Sequence, residues 1–403
     1  MAITLDDIQA AAERLRGIAR ETPLLPSDRL SERLGCEVLL KLESLQVTGA
    51  FKIRGAANCI LQLSQAARAH GVVTASAGNH AQGVAAAART IGTPATIVMP
   101  EITPVVKVQR TADYGAEIVL HGESFAEAEA EAYRLARQSG AYFVHPFDDE
   151  RVIAGQGTIG LEVLRQAPEV DCVIVPVGGG GLISGIATAI KSLRPETAII
   201  GVQAENAPAM YRSWEVGELT EVPVRGTIAE GIAVGEACTQ TLDIILERVD
   251  DLVTVAERDI ARAILELLEH HNLVAEGAGA TPIPALEACR GELAGRTVVL
   301  LISGGNADVT TLAAVIDRGL VEAGRAVRLQ VTLADRPGSL AGLAAAIAET
   351  GANVVEIYHD RMSMNLELGQ AEVEIVLGTR GAEHIAEVLS QLSEKGWDAT
   401  RID

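Results

Sequence analysis

Four short stretches of the 403-residue chain carry the residue types from which a reactive site can be built. Lys52 stands in Gly49-Ala50-Phe51-Lys52-Ile53-Arg54-Gly55, flanked by two bulky apolar residues, with glycines on either side. By residue type alone a lysine is a solvated surface group. An apolar setting would instead lower its proton affinity and leave the free amine that a Schiff-base nucleophile needs. Cys172-Val173-Ile174-Val175-Pro176-Val177 reads as a buried strand, Gly178-Gly179-Gly180-Gly181 as the turn after it, and Leu182 onward as a helix. Without Cβ atoms, the N–H groups of such a turn can converge on an anion, and the helix start adds partial positive charge. No Gly-Lys-Ser/Thr follows, and there is no G-x-G-x-x-G with a downstream acid, so neither nucleotide fingerprint is present. A merely flexible connection is the alternative, but four consecutive glycines cost heavily in entropy.

Ser76-Ala77-Gly78-Asn79-His80 follows the apolar run Val72-Val73-Thr74-Ala75, where a strand feeds a helix. It is either a carboxylate-binding helix start or an ordinary N-cap. His80, taken alone, reads as a structural histidine. Ser303-Gly304-Gly305-Asn306 follows the apolar run 298–302 and puts a hydroxyl at the carboxyl end of a buried strand; a plain β-turn serine is the other reading. An aldehyde-capturing lysine, a phosphate cradle and a hydroxyl for a ring nitrogen are what pyridoxal phosphate requires. The carboxylate-binding turn is what an amino-acid substrate requires.

The elements that must position these groups alternate. Strands are expected at 38–42, 95–99, 116–120, 172–177, 198–203 and 297–302, with helices at 82–91, 124–139, 182–193 and 258–271 between them. That is the pattern of parallel sheet with helices on both faces, which binds ligands at the carboxyl ends of its strands. From about residue 326 the pattern becomes strand 327–333, helix 339–350, strands 354–358 and 371–377, helix 382–393 and a last strand 397–402, a ferredoxin-like βαββαβ module. The join falls at about 318–326.

Hydrophobic residues make up 48% of the chain and charged ones 22%, which excludes a disordered or low-complexity protein. The length predicts about two or three domains. A net charge of −21 argues against nucleic acid or an anionic membrane as partner, since both need a basic surface. No stretch approaches the ~20 apolar residues that span a bilayer. The N-terminus lacks a secretory signal and reads as a helix capped by Thr4, with Leu5, Ile8, Ala12, Leu15 and Ile18 on one face. Five scattered cysteines without a Cys-x-x-Cys point to reduced thiols, and hence to the cytoplasm, rather than to zinc or disulfides.

On these ordered motifs, residues 1–320 resemble the catalytic domain of the fold-type II pyridoxal-phosphate enzymes, in the branch of threonine ammonia-lyases, serine dehydratases and serine racemases. Residues 326–403 resemble an ACT regulatory domain. The resemblance implies an α/β fold of the tryptophan-synthase-β type with two open-sheet subdomains. It makes Lys52 the Schiff-base lysine and the proton carrier at the substrate Cα, with Phe51 supporting the cofactor ring and Asn79 bonded to its phenolic oxygen. Gly178, Gly179, Gly180, Gly181 and Leu182 would hold the phosphate, and Ser303 would meet the pyridine nitrogen. Ser76 and the turn at Gly78, Asn79 and His80 would hold the substrate carboxylate. Residues 229–235 and 276–279 resemble further loops near the cofactor, without a single role. The implied reaction is elimination of water from L-threonine to 2-oxobutanoate and ammonia, with secondary activity on L-serine.

Two departures from the family pattern bear on this. Racemising relatives carry a second serine where this chain has Ala77, and a methyl group cannot donate a proton to the opposite face of the Cα. Relatives that bind a divalent cation use two acids where this chain has Gln203 and Ala209, so no metal is expected.

In the ACT-like module the first strand-to-helix turn, Asp335-Arg336-Pro337-Gly338-Ser339-Leu340, is the expected effector site, with isoleucine first and valine second as ligands. A module that only pairs with its copy is the other reading, and a homodimer or homotetramer is expected. A serine-preferring dehydratase stays open, because one methyl group in a pocket is worth only ~1–3 kcal/mol. From a different class, a catalytically idle, cofactor-bearing amino-acid sensor also stays open.

Overall fold

The computed structural model describes residues 3–361 and 366–402. By its internal contacts the chain forms two compact units, Met1–Asp308 and Val309–Asp403. The helix Val309–Glu322 packs on the strand Ala326–Ala334 and so groups with the second unit, although most of it lies before residue 320.

The first unit holds two sheets. The larger runs, in spatial order, Leu24–Pro26, Glu37–Leu42, Thr297–Ile302, Cys172–Pro176, Ala198–Ala204 and Asp251–Val255. Its outermost strand Leu24–Pro26 is antiparallel and the rest are parallel. The smaller sheet is parallel throughout and runs Glu117–Leu120, Ala95–Met99, Val72–Ala75 and Tyr142–Phe143. Central strands such as Cys172–Pro176 are buried along their whole length, as strands covered on both faces must be. The helices Glu150–Gln166 and Gly181–Leu193 lie against one another closely enough that a methyl at Gly185 would stand 2.3 Å from the Ile153 carbonyl oxygen. A side chain at that position would push the helix off its neighbour.

The six strands expected in this unit form, each within two residues of the expected limits. The strands Leu24–Pro26, Tyr142–Phe143 and Asp251–Val255 were not expected; two are very short and the third is a half-buried edge strand without an apolar run. The first helix, Leu5–Arg14, is capped by Thr4 as expected but stops earlier. Leu15 closes it, Gly17 turns the chain at φ +78°, and Ile18 falls outside the helix. Its buried face is Ile8 and Ala11, with Ala12 only half-buried.

The second unit has a four-stranded antiparallel sheet in the order Asn353–Asp360, Gln370–Gly378, Ala326–Ala334, Ala399–Arg401. Helices Ser339–Glu349 and Ala382–Glu394 complete the βαββαβ order. The alternating burial of Ala326–Ala334 and Gln370–Gly378 shows one face covered, by a core that includes Leu343, Ile347, Ile385 and Val388.

Candidate active site

Loops at the carboxyl ends of the parallel strands of the first unit meet around a cavity of about 1040 Å³. Its wall includes Phe51, Lys52, Ser76, Ala77, Gly78, Asn79, His80, the glycines 178–181, Leu182, Glu276, Ser303 and Asn306. Every catalytic, cofactor and substrate residue expected from the sequence therefore lies on one cavity, contributed by both sheets of the unit.

The segment before Lys52 is held by the end of the strand Thr297–Ile302. Phe51 N–H donates to the Ser303 carbonyl at 3.2 Å, Gly305 N–H donates to Gly49 O at 2.9 Å, and Ala50 forms an isolated bridge with Gly304. Lys52 then opens the helix Lys52–Leu61. Its Nζ donates to Pro146 O at 2.9 Å and lies 5.2 Å from the centre of the Phe51 ring. Burial lowers its pKa to about 8, against the opposing pull of Glu276. An amine with that pKa is about one-tenth free at pH 7, against less than about one-thousandth for an ordinary surface lysine.

The glycine turn is packed rather than loose. Gly180, at φ +89°, is the N-cap of the helix Gly181–Leu193, and no side chain caps that helix. A methyl at Gly179 would sit 2.4 Å from the Phe147 ring, and one at Gly181 would sit 2.7 Å from Phe147 O. The backbone there is shaped by what packs behind it, and its N–H groups stay available for an anion.

The helix Asn79–Ile91 begins after Gly78, again without a side-chain cap. Ser76 Oγ instead accepts from Gly78 N–H at 3.2 Å and folds the turn. No side chain caps the helix, so its first N–H groups are open, a feature that a carboxylate site would use. His80 is buried and its Nε2 lies 3.0 Å from Val144 O. Burial lowers its pKa to about 3, so the ring is neutral and structural.

Three cavity residues had no assigned role in the sequence. Pro146 O receives Lys52. Glu276 accepts from Asn79 Nδ2 at 2.7 and 3.0 Å, and Asn306 Nδ2 donates to Asn79 Oδ1 at 2.8 Å. Their only sequence signal is that each lies beside a glycine turn or a strand end. Gln203 is buried with its amide consumed by Val177 O and Tyr211 N–H, and Ala209 opens a helix. Among the described residues no cluster of three or more His, Cys, Asp or Glu is arranged to hold a metal, and no helix is long and apolar enough to cross a membrane.

An open-walled α/β cavity with a low-pKa lysine and an uncapped glycine turn defines a pyridoxal-phosphate site. Residues 15–304 match the family of pyridoxal-phosphate dependent enzymes, and the chain belongs to it. Over 391 residues, 97% of both chains, it is 53% identical to an L-threonine ammonia-lyase of Geobacter sulfurreducens. It is 47% identical over 98% of both chains to an L-threonine ammonia-lyase of Thermotoga maritima. Among solved structures it superposes on threonine deaminase isoform 2 of Solanum lycopersicum with a TM-score of 0.75 and 38% identity, over 78% of this chain and 86% of that one.

The residues present fit the cofactor. The turn at 178–181 offers N–H groups that a Cβ would crowd, Lys52 offers an amine for the aldehyde carbon, and Ser303, 3% exposed, offers a hydroxyl without net charge.

Proposed function

We propose that this chain eliminates water from L-threonine, giving 2-oxobutanoate and ammonia, with L-serine as a secondary substrate. The observation that carries this reading is the Lys52 amine, lowered to about 8, in one cavity with the glycine turn and the uncapped start of the helix Asn79–Ile91. The full-length likeness to two L-threonine ammonia-lyases supports the choice of substrate.

When bound, pyridoxal phosphate supplies an electron sink that acidifies the substrate Cα–H. The chain does the rest. The N–H groups from Gly178 to Leu182 hold the phosphate, Phe51 backs the ring and Asn79 donates to the phenolic oxygen. Ser303 would face the ring nitrogen with a neutral hydroxyl, which offers no countercharge to a proton there. Ser76 and the turn Gly78-Asn79-His80 orient the substrate carboxylate. Lys52 would hold the cofactor through Nζ and, as the free amine, would move the substrate Cα proton.

Residues 1–320 carry catalysis in this reading and 326–403 form an ACT-type regulatory domain. The turn Asp335-Arg336-Pro337-Gly338-Ser339-Leu340 binds a branched-chain amino acid, isoleucine before valine. Gly338 stands at φ +93° as the uncapped N-cap of the helix Ser339–Glu349, which leaves N–H groups for a carboxylate. Asp335 lies 3.3 Å from Arg361, within ion-pair range. Pairing of copies gives a dimer or tetramer, and the enzyme works in the cytoplasm.

The test is release of 2-oxobutanoate from L-threonine by cofactor-loaded protein, with and without isoleucine or valine. Turnover of ~1–1,000 per second supports the lyase. No keto acid from protein with cofactor bound at Lys52 overturns the threonine assignment, and a rate curve indifferent to both amino acids overturns the regulatory one.

A further inference from the structure

The polar contacts behind the cavity form a chain with a fixed direction. Asn306 Nδ2 donates both to Thr48 O and to Asn79 Oδ1, each at 2.8 Å. An amide nitrogen has two protons, so both of Asn306's are engaged, and Asn79 Oδ1 is committed as an acceptor. The Asn79 nitrogen must then face the other way, where it donates to Glu276 Oε1 at 2.7 Å and Oε2 at 3.0 Å. Glycines border the carboxylate: a methyl at Gly304 would stand 2.4 Å from Oε1 and one at Gly231 3.3 Å, so a side chain at Gly304 would have to displace it.

The same carboxylate lines one cavity with Lys52 and belongs to its charge environment. Burial raises its proton affinity and the hydrogen bond from Asn79 opposes that; Glu230 adds to the rise, and Lys52 and Lys107 counter it. Burial lowers that of Lys52, and Glu276 works against the fall. His80 and His145 also face Lys52, and burial shifts both toward the neutral form, so neither sets a competing positive charge beside it.

We propose that Glu276 is a positioning residue for the elimination reaction: its carboxylate fixes the nitrogen end of Asn79 toward the cofactor and is the countercharge of the Lys52 nitrogen. This rests on the roles given above to Lys52 and Asn79. A carboxylate that merely filled space would serve equally well as an uncharged amide of the same shape.

The test compares wild type, Glu276→Gln and Glu276→Asp, each loaded with pyridoxal phosphate and free of substrate, by titrating the visible absorption band with pH. The nitrogen that titrates is Lys52 Nζ, so loss of its countercharge must lower the midpoint. Glu276→Gln is expected to titrate at least about one pH unit below wild type, a tenfold loss of proton affinity. Glu276→Asp is expected to recover most of that shift. A Glu276→Gln midpoint equal to wild type, or an Asp variant no better than Gln, overturns the proposal. Should the Gln variant fail to retain cofactor, the cofactor-free proteins give the same answer through acetylation of Lys52 by acetic anhydride, followed by peptide mass spectrometry across pH. The wild-type midpoint near 8 must fall in both variants, more in Gln than in Asp; coincident curves overturn the proposal. No substrate enters either measurement, so failure of the threonine assignment would show separately as missing 2-oxobutanoate.

Discussion

Lys52 Nζ donates to the Pro146 carbonyl oxygen at 2.9 Å, tying the first residue of one helix to the loop after the strand Tyr142–Phe143. The carbonyl accepts from either protonation state, so the amine stays aimed into the cavity whether charged or free. Because burial holds the pKa at about 8, the ammonium dominates below that pH and the nucleophilic amine above it. Capture of pyridoxal phosphate by the cofactor-free protein should therefore accelerate with rising pH, with a half-maximal rate near 8. Stopped-flow absorbance reads this directly. A rate still climbing steeply toward pH 10 would mean an ordinary solvated lysine, and Lys52→Ala should abolish both covalent capture and turnover.

In the proposed reading, phosphate binding at the glycine turn depends on how closely Phe147 packs against it. A methyl at Gly179 would meet three ring atoms at 2.4 Å, and Phe147 directly follows Pro146, which receives Lys52. Overpacking of this kind costs about 1–3 kcal/mol. Taken from the cofactor site, that weakens binding roughly tenfold to a hundredfold. Gly179→Ala should raise the cofactor dissociation constant by that factor in fluorescence titration. Adding Phe147→Ala to the same chain should recover part of the loss.

Beneath Lys52 lies a buried ion-pair network. The Arg54 guanidinium reaches Glu43 at 2.8 Å and Glu162 at 2.6 Å, and Lys41 reaches Glu162 at 2.6 Å. Two cations and two carboxylates balance, so removing one charge leaves another buried and unpaired. Glu43→Gln should cost about 3–5 kcal/mol in denaturant unfolding at pH 7. Despite its burial, Arg54 holds the Glu43 carboxyl below its usual 4.5, so its contribution is complete above that pH. It is lost as pH falls through the folded value, and wild type and variant should converge below pH ~4.5.

What the sequence discloses here is local. Cys172 to Leu182 announces strand, turn and helix because apolar β-branched residues, four glycines and an apolar helical run follow one another without a break. The βαββαβ order of the second unit is legible for the same reason, since its two central strands alternate residue by residue. Contacts that depend on distant segments are not. Glu276 meets Asn79 across 197 residues and Pro146 meets Lys52 across 94, and no periodicity in either segment signals the partner. The early end of the first helix was hidden because Ile18 keeps helical spacing while Gly17 breaks the backbone. Strands of two or three residues, such as Tyr142–Phe143, are too short for a period to show at all.

Ala77 lines the cavity between Ser76 and the open helix start, at the position where racemising relatives carry a hydroxyl. In the proposed reaction Lys52 serves one face of the substrate Cα, and a second proton carrier on the other face is what inversion would require. The methyl group supplies none, so the wild-type protein should form D-serine from L-serine far more slowly than it forms pyruvate. Ala77→Ser adds one hydroxyl to a residue that is only half-buried, so the fold and the cofactor site should tolerate it. A general acid or base is worth roughly a hundredfold or more when well placed. Even a poorly aligned hydroxyl should therefore raise the ratio of D-serine to pyruvate by about tenfold, measured by chiral chromatography at early times. An unchanged ratio in Ala77→Ser, with cofactor bound and elimination intact, would mean that residue 77 does not face the reacting carbon and that another group limits inversion.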